Sequence, residues 1–194
     1  MQLLKKNLVM DELRDFIHIY ENALEPDVCN FLIQLFDQVP DKHERYDNEG
    51  KPSFTQFNFT ENSELTSEVK QVHTHIIKNI FQYRDIYYEF VDKRVFPEEH
   101  SLEQFRIKKY EPNGVDQFDT HVDVVEYGTA RRFLSFMWYL NTVESGGQTI
   151  FKDIQIQPKQ GTLIMFPPLW MFPHKGEPPI SGSKYIMSAY LHYK

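Results

Sequence analysis

The stretch Asp119–Asp123 reads DTHVD, and His174 stands 51 positions beyond Asp123, in FPHKGEPPISGSK. Strand residues alternate between faces, so an H-x-D pair on a strand or at its end sends both side chains to one side. Two imidazoles and one carboxylate on one face of a metal leave the opposite face open. That donor set suits Fe(II), and the open positions admit a co-substrate and O2. The third ligand must then come from another strand, near in the fold and distant in sequence, and His174 meets that need.

Lys184 is the second chemical signal. It opens KYIMSAYLHY, an otherwise apolar run, after the turn residues Pro178 and Gly182. A lysine leading a buried strand is costly unless an anion meets it. A dicarboxylate could give one carboxylate to the metal and the other to Lys184, which would act as a compact point charge. Taken singly, each residue has an ordinary explanation. His121 and Asp123 could be a surface pair, His174 an exposed loop histidine, Lys184 a strand end at the surface, and Thr149 part of a plain turn after two glycines. In this order and at this spacing they read as one metal site.

The elements that must position these residues follow from patterning. In PDVCNFLIQLFDQV, Val28, Phe31, Leu32, Leu35, Phe36 and Val39 share one helical face, with Pro26 in the first turn and Pro40 ending the run. In SELTSEVKQVHTHIIKNIF, Leu65, Val69, Val72, Ile76 and Ile80 form a second stripe. Between them, Asp41–Ser53 is polar and turn-rich and reads as an exposed loop. After about residue 90, short aromatic and β-branched runs alternate with Gly, Pro and Asn breaks. These are Glu103–Tyr110, Arg131–Leu140, Gln148–Phe151, Gly161–Phe166 and Lys184–Tyr193. The spacing predicts an all-β sandwich or barrel with two helices packed on one side.

Composition bounds the rest. The 194 residues suit one domain, and aromatics make up 15% of them, which favours a β-rich interior. A net charge of −7 without a Lys/Arg cluster argues against nucleic acid as partner. One cysteine, Cys29, excludes an internal disulfide and reads as a small core residue. The first 16 residues are too poor in apolar positions for a signal segment, and no run has the length of a membrane span. A cytoplasmic location is the expectation. His73 and His75, two apart on a helix, point to different faces and read as solvated, while His18, His43, His100 and His192 have no evident partner.

Four blocks carry a resemblance: THVD, then FMWYLNTVESGGQTIF, then PKQGTLIMFP, then HKGEPPISGSKYIMSAYL. In order and spacing they resemble the Fe(II)/2-oxoglutarate-dependent dioxygenases, and lysine rather than arginine at Lys184 resembles the prolyl 4-hydroxylase-like branch. The segment FIHIYENALEPDVCNFLIQLF resembles the first strand and helix of that branch. The resemblance implies a double-stranded β-helix, or jelly roll, with flanking helices: residues 1–90 as helical and strand support, residues 101–194 as catalytic core. It implies His121, Asp123 and His174 as iron ligands, and Lys184, Tyr110 and Thr149 as contacts to 2-oxoglutarate. Arg132 falls where a substrate-contacting arginine is expected, with Arg131 as rival, and Tyr190 stands where a tryptophan is expected on the last strand.

The implied reaction takes 2-oxoglutarate and O2 to succinate and CO2 while hydroxylating an unactivated C–H, with ascorbate as an auxiliary reductant. The implied substrate is a prolyl residue of a protein or peptide. A free amino acid or other small molecule is the alternative, favoured by the short loop VVEYGTARR after Asp123. A β-sandwich binding module without catalysis is a third reading. The segment between Tyr110 and His121 is about two residues longer than the family pattern, which bears on Tyr110.

Overall fold

The computed structural model describes residues 12–47 and 52–194. A 3-10 turn leads into β1 (His18–Tyr20), α1 (Pro26–Gln38), β2 (His43–Asp47), β3 (Ser53–Asn58) and α2 (Ser67–Val91). Then come β4 (His100–Leu102), β5 (Arg106–Tyr110), β6 (Phe118–His121), β7 (Arg132–Tyr139), β8 (Thr149–Phe151) and β9 (Ile154–Ile156). β10 (Leu163–Phe166), β11 (His174–Gly176) and β12 (Lys184–Tyr193) complete the chain.

All strand pairs are antiparallel and fall into two sheets. The larger has the order β1-β10-β7-β12-β5-β3-β2, with β4 on the end of β12; the smaller is β6-β11-β8-β9. Long-range pairing of this kind, closed over an apolar interior, is the jelly-roll solution to edge strands. Period-two alternation divides the core. On β12, Tyr185, Met187, Ala189 and Leu191 face the helices, in one apolar layer with Ile107, Phe136 and Trp138. Ile186 faces the other sheet, in a second layer with Tyr110, Tyr139, Phe151 and Phe166.

Both helices cover the outer face of the large sheet. Pro26 occupies the first turn of α1, and Leu32 and Phe36 are fully buried. Burying side chains of this size contributes roughly 1.5–3 kcal/mol each. Cys29 sits in the same layer, where burial pushes its thiol up to about 12. α2 starts at a Thr66 cap, whose side chain accepts from the Val69 N–H at 3.1 Å. It therefore begins later than the stripe suggested, and Leu65 lies outside it, 43% exposed. It also runs on to Val91, because Tyr83, Tyr87 and Val91 continue the packed face.

The expected loop Asp41–Ser53 is a second correction. His43–Asp47 is a strand, paired residue for residue with β3 from His43↔Phe57 to Asp47↔Ser53. Its sequence HERYD carries no alternation to announce it. Ladder hydrogen bonds to β3, and the anchoring of Arg45 by the buried Asp116 carboxylate at 2.7 Å, hold it in place. The remainder of the expected loop, residues 48–51, lies outside the described residues.

Among the described residues no helix is long and apolar enough to cross a membrane. His73 is not solvated as expected: it packs between Phe59 and Phe105, and burial lowers its pKa. His75 pairs with Glu25 at 2.9 Å. Three histidines without an expected partner have one: His18 contacts the Tyr20 hydroxyl, His43 the Phe36 carbonyl and His100 the Arg84 guanidinium.

Candidate metal centre

β6 ends at His121 and β11 begins at His174, and the two residues are direct cross-strand partners. Their ring centroids are 4.3 Å apart. Asp123 follows β6 and turns its carboxylate to both rings, with Oδ1 at 3.6 Å from His121 Nε2 and 4.0 Å from His174 Nε2. One ligand atom from each residue lies within 4.8 Å of the others, which is room for one metal ion.

The imidazoles are oriented from behind. His121 Nδ1 is 2.7 Å from the Asp119 carbonyl and His174 Nδ1 is 3.1 Å from the Phe172 carbonyl. A carbonyl only accepts, so both Nδ1 atoms carry the proton and both Nε2 lone pairs face Asp123. That is the outer-shell arrangement that fixes a ligating tautomer. Phe118 stacks on His121 at 3.5 Å, and Phe151 and Phe166 flank His174. Burial lowers the His174 pKa and so keeps it in the neutral, ligating form. Burial would raise the Asp123 carboxyl, but the polar side chains around it, His121 first among them, outweigh burial and hold it below its ordinary value.

Lys184 is the first residue of β12 and sits directly across from Tyr110 on β5. It is 2% exposed. Its ammonium lies 4.6 Å over the Tyr110 ring and donates to the Gly147 carbonyl at 3.0 Å. No carboxylate of the described residues forms a salt bridge with it, and burial brings its pKa down to about 7. Gly146 and Gly147 both have positive φ, and a Cβ on Gly146 would strike the Pro178 carbonyl oxygen at 2.5 Å. This turn aims the Gly147 carbonyl at Lys184 and starts β8 at Thr149. The buried Thr149 hydroxyl accepts from Tyr139 at 2.6 Å, leaving its own proton to donate. A fully buried cation with a phenol and a hydroxyl beside it is a cradle for an anion. The extra length between Tyr110 and His121 is taken up by a turn at Gly114 (φ +74°), which Asn113 closes by accepting from the Asp116 N–H at 2.8 Å.

Of the two arginines, Arg131 is exposed and Arg132 reaches the centre. Arg132 donates to the Asp123 carbonyl at 3.0 Å and clamps Glu103 at 2.6 and 2.7 Å. Its guanidinium lies 4.1 Å over the ring of Tyr190. Tyr190 lines the same cavity, and burial with Asp123 beside it pushes its phenol well up. Lys108 and Ser188, also on the cavity wall, escaped the sequence reading. Lys108 is two residues from Tyr110 on one strand and shares its face, but only the strand register shows that this face is the inward one.

Residues 105–192 match the family model described as 2OG-Fe(II) oxygenase superfamily. The chain is 23% identical over 212 residues to a protein named probable prolyl 4-hydroxylase 3 of Arabidopsis thaliana, covering 90% of this chain and 68% of that one. It is 24% identical over 110 residues to the human prolyl 4-hydroxylase subunit alpha-1, covering 47% of this chain. The chain spans about a fifth of that relative's length, the match covering 20% of it. Among solved structures, a viral collagen prolyl hydroxylase of Paramecium Bursaria Chlorella virus-1 superposes with TM-score 0.68 at 21% identity, covering 92% and 97% of the two chains. A Trichoplax adhaerens prolyl hydroxylase, solved with a hypoxia inducible factor peptide fragment, gives TM-score 0.71 at 14% identity over 92% of this chain and 84% of that one. The core segment is thus similar to the 2OG-Fe(II) oxygenase superfamily, and the fold is the one these prolyl hydroxylase structures share.

Proposed function

We propose that the protein is a 2-oxoglutarate-dependent dioxygenase that hydroxylates an unactivated C–H, with a prolyl residue of a protein or peptide as substrate. One observation carries this reading: a His-Asp-His cluster and a buried ammonium without a carboxylate partner share one cavity. Neutral Nε2 donors and an ionised carboxylate fit Fe(II). In this reading His121, Asp123 and His174 hold the metal. Lys184 and Tyr110 take the distal carboxylate of 2-oxoglutarate, and the Thr149 hydroxyl donates to it while accepting from Tyr139. When bound, the iron, co-substrate and O2 supply the oxidising power for hydroxylation, with succinate and CO2 as co-products. The chain's residues do the rest. Carbonyls of Asp119 and Phe172 fix the imidazole tautomers, Arg132 braces the backbone of Asp123, and aromatic rings keep water from the centre.

A peptide substrate is supported by exposed apolar side chains on the segments that follow Asp123 and precede His174. Val125, Tyr127 and Trp170 are 73%, 96% and 76% exposed. They sit on two loops joined by the Val124 N–H to Pro168 carbonyl bond at 3.2 Å. Exposed aromatic groups of this kind are common anchors for peptide chains. A free amino acid is the second reading, favoured by the tight turn after Asp123, where Thr129 bonds back to Glu126 at 3.1 Å and leaves little chain to clamp a peptide.

The test is an anaerobic titration with Fe(II) and 2-oxoglutarate, watching the weak visible band of the chelate, followed by O2 and a proline-containing peptide library. The expected result is a band that Asp123→Ala abolishes, and a +16 product. A protein loaded with iron that shows no band refutes the reading. A band without any +16 peptide product refutes the peptide substrate alone.

A further inference from the structure

Lys108 has no task in the site as described so far. It lies on β5 between Ile186 of β12 and Gln56 of β3. Its side chain shares the inward face with Tyr110 and lines the same cavity as His121, Asp123 and Tyr190. Among the described residues its ammonium makes no hydrogen bond and no salt bridge; its ring contact is with Phe54, 5.2 Å away. The nearby acids are engaged elsewhere. Glu103 is clamped by Arg132 at 2.6 Å and met by Arg106 at 3.1 Å. Glu44 accepts from Gln56 at 3.2 Å. Asp123 is the remaining carboxylate, and in the reading above its charge belongs to the metal.

The charge count around the cavity mouth is therefore uneven. In the dioxygenase reading a divalent ion would be neutralised by Asp123 and by one carboxylate of the co-substrate, and the other carboxylate would be met by Lys184, across from Tyr110. Lys108, Arg106 and Arg132 then face Glu103 alone, inside a chain whose overall charge is −7. Lys108 is half-buried, and a partly desolvated ammonium in a cavity wall without an ionic partner suits an anion that arrives to meet it. β5 rises about 3.4 Å per residue, so Lys108 stands roughly 7 Å from Tyr110 along the strand, on the Arg106 side and away from the Lys184 end.

We propose that Lys108 is a substrate-specificity residue, receiving a carboxylate that the substrate carries close to the carbon to be hydroxylated. This rests on the dioxygenase reading and names its substrate class: the target is acidic. The carboxylate is either the α-carboxylate of a free amino acid or an acidic side chain beside the target residue in a peptide.

The experiment uses the full chain and two matched probe pairs. One is L-proline against L-prolinamide. The other is a capped peptide with Glu-Pro against the same peptide with Gln-Pro, with Lys-Pro added as a reversed charge. Wild type, Lys108→Met and Lys108→Glu are each loaded anaerobically with Fe(II) and 2-oxoglutarate. The chelate band is recorded, its shift on adding each probe is followed, and +16 product is measured after O2. The expected result is an unchanged chelate band in Lys108→Met. In wild type, kcat/KM should favour the carboxylate member of one pair by roughly tenfold or more, the scale of a charge-assisted hydrogen bond. Lys108→Met should level that preference, and Lys108→Glu should turn it toward the Lys-Pro peptide. The pair that responds identifies the source of the carboxylate. Equal use of acidic and neutral members, no response to any acidic probe, or a preference that survives Lys108→Met each overturns the proposal. So does a loss of 2-oxoglutarate affinity in Lys108→Met, which would make Lys108 part of the co-substrate site. A wild-type protein without the chelate band is a different failure, that of the dioxygenase reading itself.

Discussion

Replacing Lys184 by methionine should move stability and co-substrate affinity in opposite directions. The ammonium is fully buried, forms no salt bridge among the described residues, and has its pKa brought from 10.5 down to about 7 by burial, which outweighs the Glu177 charge. A change of that size corresponds to roughly 5 kcal/mol at most, of which local relaxation and water entry leave a few. The sign follows from linkage. The folded pKa lies below the unfolded one, so between about pH 7 and 10.5 the unfolded chain binds more protons, and stability rises with pH through that window. Below pH 7 the penalty is constant and largest. Methionine keeps the stem volume and carries no charge. The variant should therefore be more stable than wild type at pH 6.5 by roughly 2–4 kcal/mol, with the advantage shrinking toward pH 9.5. Urea unfolding of both proteins without 2-oxoglutarate at these pH values gives the difference, in which contributions of other groups cancel. The same variant should bind 2-oxoglutarate at least roughly thirtyfold more weakly by the chelate band, since a hydrogen-bonded charge is lost. A variant that is less stable at pH 6.5, or a difference that does not change with pH, would show that the ammonium is not buried unpaired. Retained affinity would show that it is not the anchor.

Other perturbations test the supports of the site. Arg132→Met removes the donor to the Asp123 carbonyl and leaves Glu103 without its clamp; iron affinity should fall roughly tenfold to a hundredfold, read by metal titration. Asp116→Asn should cost about 2–3 kcal/mol in urea unfolding at pH 7. Burial would raise the Asp116 carboxyl, but Arg45, the Glu111 N–H, Asn113 and Ser53 hold it at about 2. Its contribution is full above pH 4 and is lost as pH falls toward 2, so wild type and variant should converge in acid; a gap that persists there refutes the network. Gly161→Ala places a Cβ against the Leu24 carbonyl at φ +78°, where Ala23 and Leu24 N–H groups bond the Gly161 carbonyl. The expected loss is about 1–3 kcal/mol in unfolding free energy, and a neutral result would mean that the turn can shift.

Much of this was legible in the chain. The apolar stripe of α1 and the proline on either side of it bounded that helix, because helical periodicity and proline sterics are local. The last strand was readable as Lys184–Tyr193, since its burial is continuous as far as Leu191. The types and spacing of His121, Asp123 and His174 marked them as one candidate set, and the fold brings the three together beside a cavity that Lys184 also lines. β2 was not legible. Its side chains are mostly exposed, so its strand state comes from a partner and not from its own pattern. Which of Arg131 and Arg132 turns toward Glu103 and Asp123 was likewise open in sequence, and the face of the chain at the start of β7 sets it. Lys108 looked like any charged strand residue until the β3-β5-β12 register turned it inward. The proton positions on both imidazoles depend on carbonyls two residues away, whose direction only the folded loops define. Residue chemistry and local periodicity are written in the sequence; cross-strand register and the surroundings of each charge arise when distant segments pair, and only the tertiary structure decides them.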